Sequence, residues 1–217
     1  KQLTWYDNLP LISFLLLRGK SRCCRSPIHL QYFLVELSTA LLTVIVYHIL
    51  IYDISIYHIW SFGFTLLIIY ALIAIFVSDL NYQTVPDLFV WPAIVMTLGY
   101  NATMLQGNKA FENLTIALFA GIIFFLLSRL KIKNQQAMGF GDVEIAILMG
   151  LFLGFPKIIV ALYLAFLTGA LIGVILIILG KKNLKSQIAF GPFLVGGTII
   201  SLFFGDLIWQ KIIELLL

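Results

Sequence analysis

Long apolar runs, separated by short groups of polar residues, fill most of the chain after residue 29. The runs are continuous and do not alternate apolar with polar positions, so they favour membrane helices over the strands of an outer-membrane barrel. Each run is bounded by charges, Pro or Gly. The pattern predicts an all-α, polytopic membrane helix bundle with about seven transmembrane segments. The segments lie at about 30–51, 57–78, 87–106, 112–130, 143–155, 157–180 and 188–215.

The fifth segment is shorter than the others and is interrupted or ended by Gly150, Gly154 and Pro156. A run of about a dozen residues is too short to cross the hydrocarbon region upright. We therefore expect this helix to be tilted, incomplete, or joined to the sixth by a kink.

Residues 1–29 differ from the rest because they are polar or only weakly apolar. The apolar stretch from Leu9 to Leu17 is too short to span a membrane and suits the interface. No signal-peptide pattern follows Lys1, so the chain either begins in the cytoplasm or has lost something ahead of this residue. We predict a short cytoplasmic or interfacial region over 1–29 and a transmembrane domain over 30–217.

Composition supports a membrane protein and indicates its orientation. Of the 217 residues, 61% are hydrophobic and 11% are charged, which excludes an ordinary soluble domain. Eleven of the 14 Lys and Arg fall on one side of the predicted topology, and an excess of this kind marks the cytoplasmic side. The basic residues are scattered among helix ends, so nucleic-acid binding is a poor interpretation; membrane lipids are the expected surroundings.

Two acids stand where predicted segments meet that cytoplasmic face. Asp79 ends the second segment, and Asp142 follows Gly139-Phe140-Gly141 at the start of the fifth. Carboxylates near hydrocarbon are costly and often functional. If the two lie close together, one keeps its proton, and the pair can activate water while polarising a peptide carbonyl, as in aspartic proteases.

Structural roles would also explain these acids when each is taken alone. Asp142 could cap the helix that follows it, and its charged form would be favoured by the helix dipole. Asp79 could simply be the polar end of its helix. Pro86 and Asp87 suit the start of the third segment, so Asp87 is better explained as a helix-start acid than as a catalyst. Glu144 lies about 200° around a helix from Asp142 and should point away from it, toward headgroups or a second helix.

Glycines flank Asp142 for a physical reason. Without side chains, Gly139 and Gly141 allow a sharp turn and close approach of a substrate strand. We therefore treat these two glycines, with Pro86 and Asp87, as the motif that supports the two acids.

Taken together, these motifs resemble the type IV prepilin peptidases, which are membrane aspartic peptidases with a Gly-x-Gly-Asp signature. Their order and spacing agree along nearly the whole chain. The stretches that carry the resemblance are Trp5-Tyr6-Asp7-Asn8-Leu9-Pro10 with Leu17-Arg18-Gly19-Lys20 and Leu34-Val35-Glu36-Leu37, then Asp79 to Asp87, then Gly139-Phe140-Gly141-Asp142 with Phe190-Gly191-Pro192-Phe193.

The resemblance implies that Asp79 and Asp142 are the catalytic pair of a peptidase domain over 30–217. It implies cleavage of the basic leader from type IV prepilins or pseudopilins, at the cytoplasmic face of the bacterial inner membrane. Peptide cleavage would need no cofactor. Many members also methylate the new amino terminus, and S-adenosylmethionine would be the methyl donor wherever that activity is retained.

The chain departs from the family pattern near its start. A first membrane segment and a Cys-x-x-Cys pair are absent, which suggests a shortened start. The second pair reads Ser21-Arg22-Cys23-Cys24, so Cys24 is at most a remnant of the zinc motif and we expect no zinc site. The family often has Lys where this chain has Glu144.

Two other functions fit part of the pattern. A presenilin-like intramembrane aspartic protease shares the Gly-x-Gly-Asp signature, but it carries a Tyr-Asp pair where this chain has Ser78-Asp79. A small transporter could use intramembrane acids as proton or cation ligands, although matching broken helices are not evident.

Overall fold

The structure is a computed structural model that describes residues 9–51, 56–105, 107–132, 135–136, 138–180 and 189–216. Most of these residues are helical. The helices are α1 (Ile12–Leu16), α2 (Leu30–Leu50), α3 (Ile56–Tyr82), α4 (Asp87–Met104), α5 (Gly107–Arg129), α6 (Phe140–Leu153), α7 (Lys157–Ile178) and α8 (Gly191–Leu216). Two short antiparallel strands, β1 (Lys131–Ile132) and β2 (Gln135–Gln136), stand between α5 and α6. The motif residues Trp5 to Asn8 and the basic residues Lys1, Lys133, Lys181, Lys182 and Lys185 lie outside the described residues.

Each of the seven predicted segments coincides with one of the helices α2 to α8, and the all-helical membrane prediction is confirmed. The count of about seven spans is not confirmed, because five described helices are long and apolar enough to cross a membrane. These are Leu30–Leu50, His58–Tyr82, Gly107–Arg129, Lys157–Ile178 and Gly191–Leu215. The helix α6 has 14 residues and is about 21 Å long, shorter than a hydrocarbon core of about 30 Å. The helix α4 contains Pro92 and a buried Asn101, which reduce its apolar character.

The chain divides into two compact units, Lys1–Phe62 and Gly63–Leu217. In the first unit, the Glu36 carboxylate accepts a hydrogen bond of 2.8 Å from the Leu11 N–H, just before α1. Leu11 has a φ of 61°, which is unusual for a residue with a branched side chain. Phe14 stacks on Phe33 with ring centroids 5.0 Å apart. These two contacts join α1 to α2 and give Glu36 a structural role.

The short helix α6 is the centre of the second unit. Most of its side chains are buried, and it packs against α4, α5, α7 and α8. Ile145, Ala146, Leu148 and Met149 have no exposed surface. A largely apolar helix that is too short to span is stable only when protein surrounds it. Its neighbours therefore fix both the position and the direction of its first turn, which carries Asp142.

Two asparagine side-chain amides hydrogen-bond to a backbone carbonyl at the other end of α6. The Leu151 carbonyl accepts hydrogen bonds from Asn101 Nδ2 at 2.9 Å and from Asn113 Nδ2 at 3.2 Å. Such donors replace the water that a helix end would otherwise need. The helix ends before Gly154, which has a φ of 65°, and α7 begins at Lys157. The fifth and sixth segments are thus separate helices, so a kinked continuation, one of the three alternatives for the fifth segment, is not observed.

Candidate active site

Asp79 lies in the last turn of α3 and is 5% exposed. Beyond it the chain turns at Gln83, whose N–H donates to the Asp79 carbonyl at 2.9 Å and whose φ is 53°. The Ser78 hydroxyl donates to the Thr84 carbonyl at 3.1 Å and holds the turn against the helix end. These two contacts fix the point at which the Asp79 side chain leaves the helix.

Asp142 is the third residue of α6 and is 7% exposed. Its Oδ2 accepts a hydrogen bond of 3.2 Å from the Gly139 N–H, immediately before the helix. The same side chain therefore caps its own helix, as the structural interpretation of the sequence suggested. That role does not conflict with chemistry, because the second carboxylate oxygen has no hydrogen-bond partner among the residues that the structure describes.

The start of α8 contacts the Asp79 side chain. The backbone amide of Gly191 lies within hydrogen-bonding range of the Asp79 carboxylate. A Cβ on Gly191 would stand 2.5 Å from Asp79 Oδ2 and 3.3 Å from Cδ1 of Ile145 in α6. Only glycine fits between these groups without displacing one of them. The first residue of α8 thus lies between Asp79 and the first turns of α6.

The two carboxylates lie within electrostatic range of each other, and both are buried. Burial, with a further contribution from the charge of Asp79, raises the pKa of Asp142 to about 7, against the opposing effect of the Gly139 N–H. The helix start was expected to favour the charged form, but desolvation outweighs it here. Near neutral pH one proton therefore resides on Asp142 in a substantial fraction of molecules.

The two signature glycines have different surroundings. Neither has a φ in the left-handed region, so the first turn of α6 does not depend on that conformation. A Cβ on Gly141 would lie 2.6 Å from Cβ and Cγ2 of Val85, in the segment between α3 and α4. A Cβ on Gly139 would meet only Asp142 Oδ2, at an ordinary 3.6 Å. Close approach is therefore the requirement at Gly141.

Pro86 and Asp87 stand at the beginning of α4, as predicted, with Pro86 in the cap position and Asp87 as the first helical residue. Asp87 is exposed. Its carboxylate interacts electrostatically with Glu144 on α6. Glu144 is 6% exposed and interacts with the acid that begins α4. Of the two surroundings predicted for it, a second helix is therefore the one that these observations favour.

The sequence places Gly191 in a motif without indicating a role for it, and no pattern marks Val85 on its own. The signal for Gly191 was its place in Phe190-Gly191-Pro192-Phe193, just ahead of a long apolar run. The signal for Val85 was weaker, because a valine before a proline is common in extended segments.

Near the chain start, Cys23 and Cys24 are both free and exposed. The Sγ atom of Cys24 lies 3.0 Å from the Ser26 hydroxyl, and hydrogen bonding to Ser26 lowers the pKa of this thiol to about 7. Adjacent thiols cannot supply the four tetrahedral ligands of a structural zinc site. Elsewhere in the described part of the chain, no group of three or more His, Cys, Asp and Glu side chains is placed to hold a metal. The residues present therefore do not fit zinc.

Comparison with known proteins identifies the family. Residues 66–174 match the type IV leader peptidase family, and residues 1–50 match the bacterial peptidase A24 N-terminal domain. A prepilin leader peptidase/N-methyltransferase of Aeromonas hydrophila is 34% identical over 207 residues, covering 94% of this chain and 69% of the relative. The proteins of the same name from Pseudomonas aeruginosa and Legionella pneumophila are 32% and 30% identical, covering 96% and 93% of this chain and 70% and 68% of the relatives.

No solved structure matches the chain. The two family matches together extend over both units, and the relatives align along almost all of the sequence. The predicted resemblance is confirmed, and the chain belongs to the type IV leader peptidase family.

Proposed function

We propose that this protein is an aspartic endopeptidase that removes the basic leader from type IV prepilins or pseudopilins. Residues 30–217 form its peptidase domain, and cleavage takes place at the cytoplasmic face of the bacterial inner membrane. The observation that carries the proposal is the pairing of two buried acids, Asp79 and Asp142, each beside the start of a helix. The names of the similar proteins support the substrate class.

The pair suits hydrolysis of a peptide bond by activated water. Asp142, whose pKa is raised to about 7, is the protonated member and donates its proton to the scissile carbonyl oxygen. Asp79, beside the Gly191 amide, is the ionised member and accepts a proton from the attacking water. The water oxygen bonds to the carbonyl carbon, and a tetrahedral diol forms.

Collapse of the diol completes the reaction. The carbon–nitrogen bond breaks, and the leaving nitrogen takes the proton held by Asp79. Asp142 recovers its proton from a diol hydroxyl as the new carboxyl group forms. Both acids return to their starting states, so the cycle consumes one water and needs no cofactor.

Methylation of the new amino terminus is a second activity that the names of the relatives include. It would use S-adenosylmethionine as the methyl donor. Among the described residues we assign none to this step, so the peptidase proposal does not depend on it.

The test is cleavage of a purified prepilin in detergent or liposomes, with mass spectrometry of the products. We expect the wild-type chain to release the leader in one cut, and Asp142→Asn to lower the rate by about 10³-fold. Asp206→Asn is the matched control, because Asp206 is an exposed acid of α8 that pairs with Lys157 at 3.0 Å, well away from Gly191. The same spectrum reports whether the mature product carries a methyl group. Equal cleavage by wild type and Asp142→Asn would refute the proposal.

A further inference from the structure

The first turn of α4 and the second turn of α6 carry two acids that the proposed reaction does not use. Glu144 lies in α6, and Asp87 begins α4. With Asp79 and Asp142 they make four carboxylates at one end of the second unit. None of the four has an ion-pair partner among the described residues. Glu144 and Asp87 therefore call for an explanation beyond the catalytic pair.

Glu144 is the least expected of the four. It is 6% exposed, and within the described residues its carboxylate has no hydrogen-bond donor. An unpaired buried carboxylate costs several kcal/mol unless it takes up a proton or meets a cation. Helix packing does not require an acid at this position, since an apolar residue would suit the surrounding core better.

The direction of Glu144 separates it from the catalytic pair. Two residues along an α-helix correspond to a rotation of about 200° and a rise of about 3 Å, so Glu144 and Asp142 project from opposite sides of α6. Glu144 lies close enough to Asp87 for their charges to interact. Asp87 is exposed, so this second acid pair is open to its surroundings on the Asp87 side.

Two cations that flank α6 in the chain have other partners in the structure. The Arg129 guanidinium, at the end of α5, stands 4.8 Å from the centre of the Phe125 ring. Lys157, at the start of α7, pairs with Asp206. Neither offers a charge to Glu144 or Asp87. A cation on a bound molecule would complement this pair of acids.

We propose that Glu144 and Asp87 form an acidic subsite that binds a Lys or Arg side chain of the peptide substrate. This inference rests on the proposed function, since it assumes a peptide lying across the first turn of α6. The portion of such a substrate that stays in the membrane is apolar, so the cation belongs to the leader. Because Asp142 and Glu144 project from opposite sides of α6, their carboxylates are separated by about the width of a helix, about 10 Å. That distance corresponds to about three residues of extended peptide. The cation therefore lies within about four residues of the scissile bond.

The experiment compares two prepilin substrates that differ only in the leader, one with its Lys and Arg residues and one with Gln at those positions. The quantity measured is the ratio of kcat/KM for the basic leader to that for the neutral leader. We expect Glu144→Gln to lower this ratio about tenfold, chiefly by raising KM for the basic leader, and Asp87→Asn to lower it less. Glu112→Gln, which removes an exposed acid at the opposite end of α5, is the matched control and should leave the ratio unchanged.

A charge reversal keeps the test decisive if Glu144→Gln folds poorly. Asp87→Lys alters an exposed position, and we expect it to favour a leader whose basic residues are replaced by Glu. A ratio that stays at the wild-type value in both Glu144→Gln and Asp87→Lys would overturn the subsite and leave the peptidase proposal standing. A wild-type chain that cleaves neither substrate would overturn the proposed function, and the subsite with it.

Discussion

Asp142 combines a capping role with a perturbed acidity. Its Oδ2 accepts the Gly139 N–H at 3.2 Å, yet burial and the neighbouring Asp79 charge raise its pKa to about 7. An ordinary helix-capping aspartate would be fully ionised at neutral pH. The raised pKa of Asp142 lets this member of the pair hold a proton near neutral pH.

The pH dependence of cleavage should reflect this proton. We expect kcat/KM to fall as pH rises above about 7, approaching tenfold per pH unit, because Asp142 then loses the proton that it donates. The folded state also binds this proton more tightly than the unfolded state does. The free energy of unfolding should therefore decrease as pH rises from the ordinary value of 3.8 to about 7. A cleavage rate that keeps increasing between pH 7 and pH 9 would contradict this assignment.

Gly191 provides a test of how Asp79 is positioned. In Gly191→Ala the new Cβ would stand 2.5 Å from Asp79 Oδ2, so the carboxylate has to move. A displacement of about 1 Å at a catalytic group lowers rates by about 10²-fold, and we expect a loss of this size in kcat.

Gly196→Ala, in the same helix, is the control, because a Cβ there meets nothing within 4 Å. It should retain activity and gain up to about 1 kcal/mol of stability from the better helix propensity of alanine. Equal activity in the two variants would mean that the Gly191 contact does not position Asp79.

The sequence marks candidate positions for chemistry where a residue is costly in its surroundings. Asp79 and Asp142 stood out because carboxylates near hydrocarbon are rare. Glu144 was placed correctly against a second helix as one of two possibilities, but its burial and its pairing with Asp87 depend on which helices surround α6. Contacts of Gly191 and Val85 depend on tertiary packing, and no local pattern reports them.

The helix α6 shows how an element too short to span can still be held firmly. Its first turn is fixed by Gly141 against Val85, and its last by Asn101 and Asn113 on the Leu151 carbonyl. The sequence predicted that this segment was unusual, since glycines and a proline interrupt the apolar run. It could not predict the amide contacts, because Asn101 and Asn113 come from helices some 40 to 50 positions earlier.

The two signature glycines should respond differently to substitution. Gly141→Ala would place a Cβ 2.6 Å from Val85, pushing the first turn of α6 away from the segment that leads to α4. We expect a loss of activity of about tenfold or more. Gly139→Ala makes only a 3.6 Å contact and should change activity by about twofold at most.

A second substitution tests the cause of the Gly141 effect. Val85→Gly removes the side chain that the new methyl would meet, so it should restore part of the activity lost in Gly141→Ala. Cleavage assays on the two single variants and the double variant form the cycle. If the two losses simply add, the Val85 contact is not the reason for glycine at this position.

The number of spans is the point at which pattern and structure diverge. Apolar runs predicted seven segments, and seven helices follow them, but α4 and α6 lack the length or apolar character of the other five. Hydropathy along the chain does not distinguish a helix that faces lipid from one that is surrounded by protein. Most side chains of α6 are buried by protein, which explains why this apolar helix is stable although it is too short to span the membrane.

Orientation of the whole chain rests on the distribution of Lys and Arg. That distribution predicts that Asp79, Asp142 and the basic residues around Cys23 and Cys24 belong to the cytoplasmic side. The two cysteines are the only ones in the sequence and both are exposed, so they serve as a natural label. We expect a membrane-impermeant maleimide to label them in inverted inner-membrane vesicles and not in intact cells.

The control for this labelling is Lys109→Cys in a chain with Cys23 and Cys24 replaced by Ser. Lys109 is exposed at the start of α5 and is predicted to face the opposite side, so the pattern of labelling should be reversed. Labelling of the native cysteines from outside intact cells would contradict the predicted orientation.

Family membership narrows the functions that the sequence left open. A presenilin-like protease and a transporter both fitted a pair of acids among membrane helices. Matches to the leader peptidase family over 66–174 and to its N-terminal domain over 1–50 favour prepilin processing over either. These three classes of protein differ in what they act on. The geometry of two carboxylates alone does not specify the substrate.

The most direct test of the account is whether Asp79 and Asp142 act as one catalytic unit. Cleavage rates of a prepilin would be compared for Asp79→Asn, Asp142→Asn and the double variant, each checked for folding by its thermal unfolding in detergent. We predict that either single substitution lowers kcat by about 10³-fold and that the double variant is no worse than the singles, because a pair that shares one proton fails when either member is lost. A folded single variant that cleaves at the wild-type rate would contradict the account.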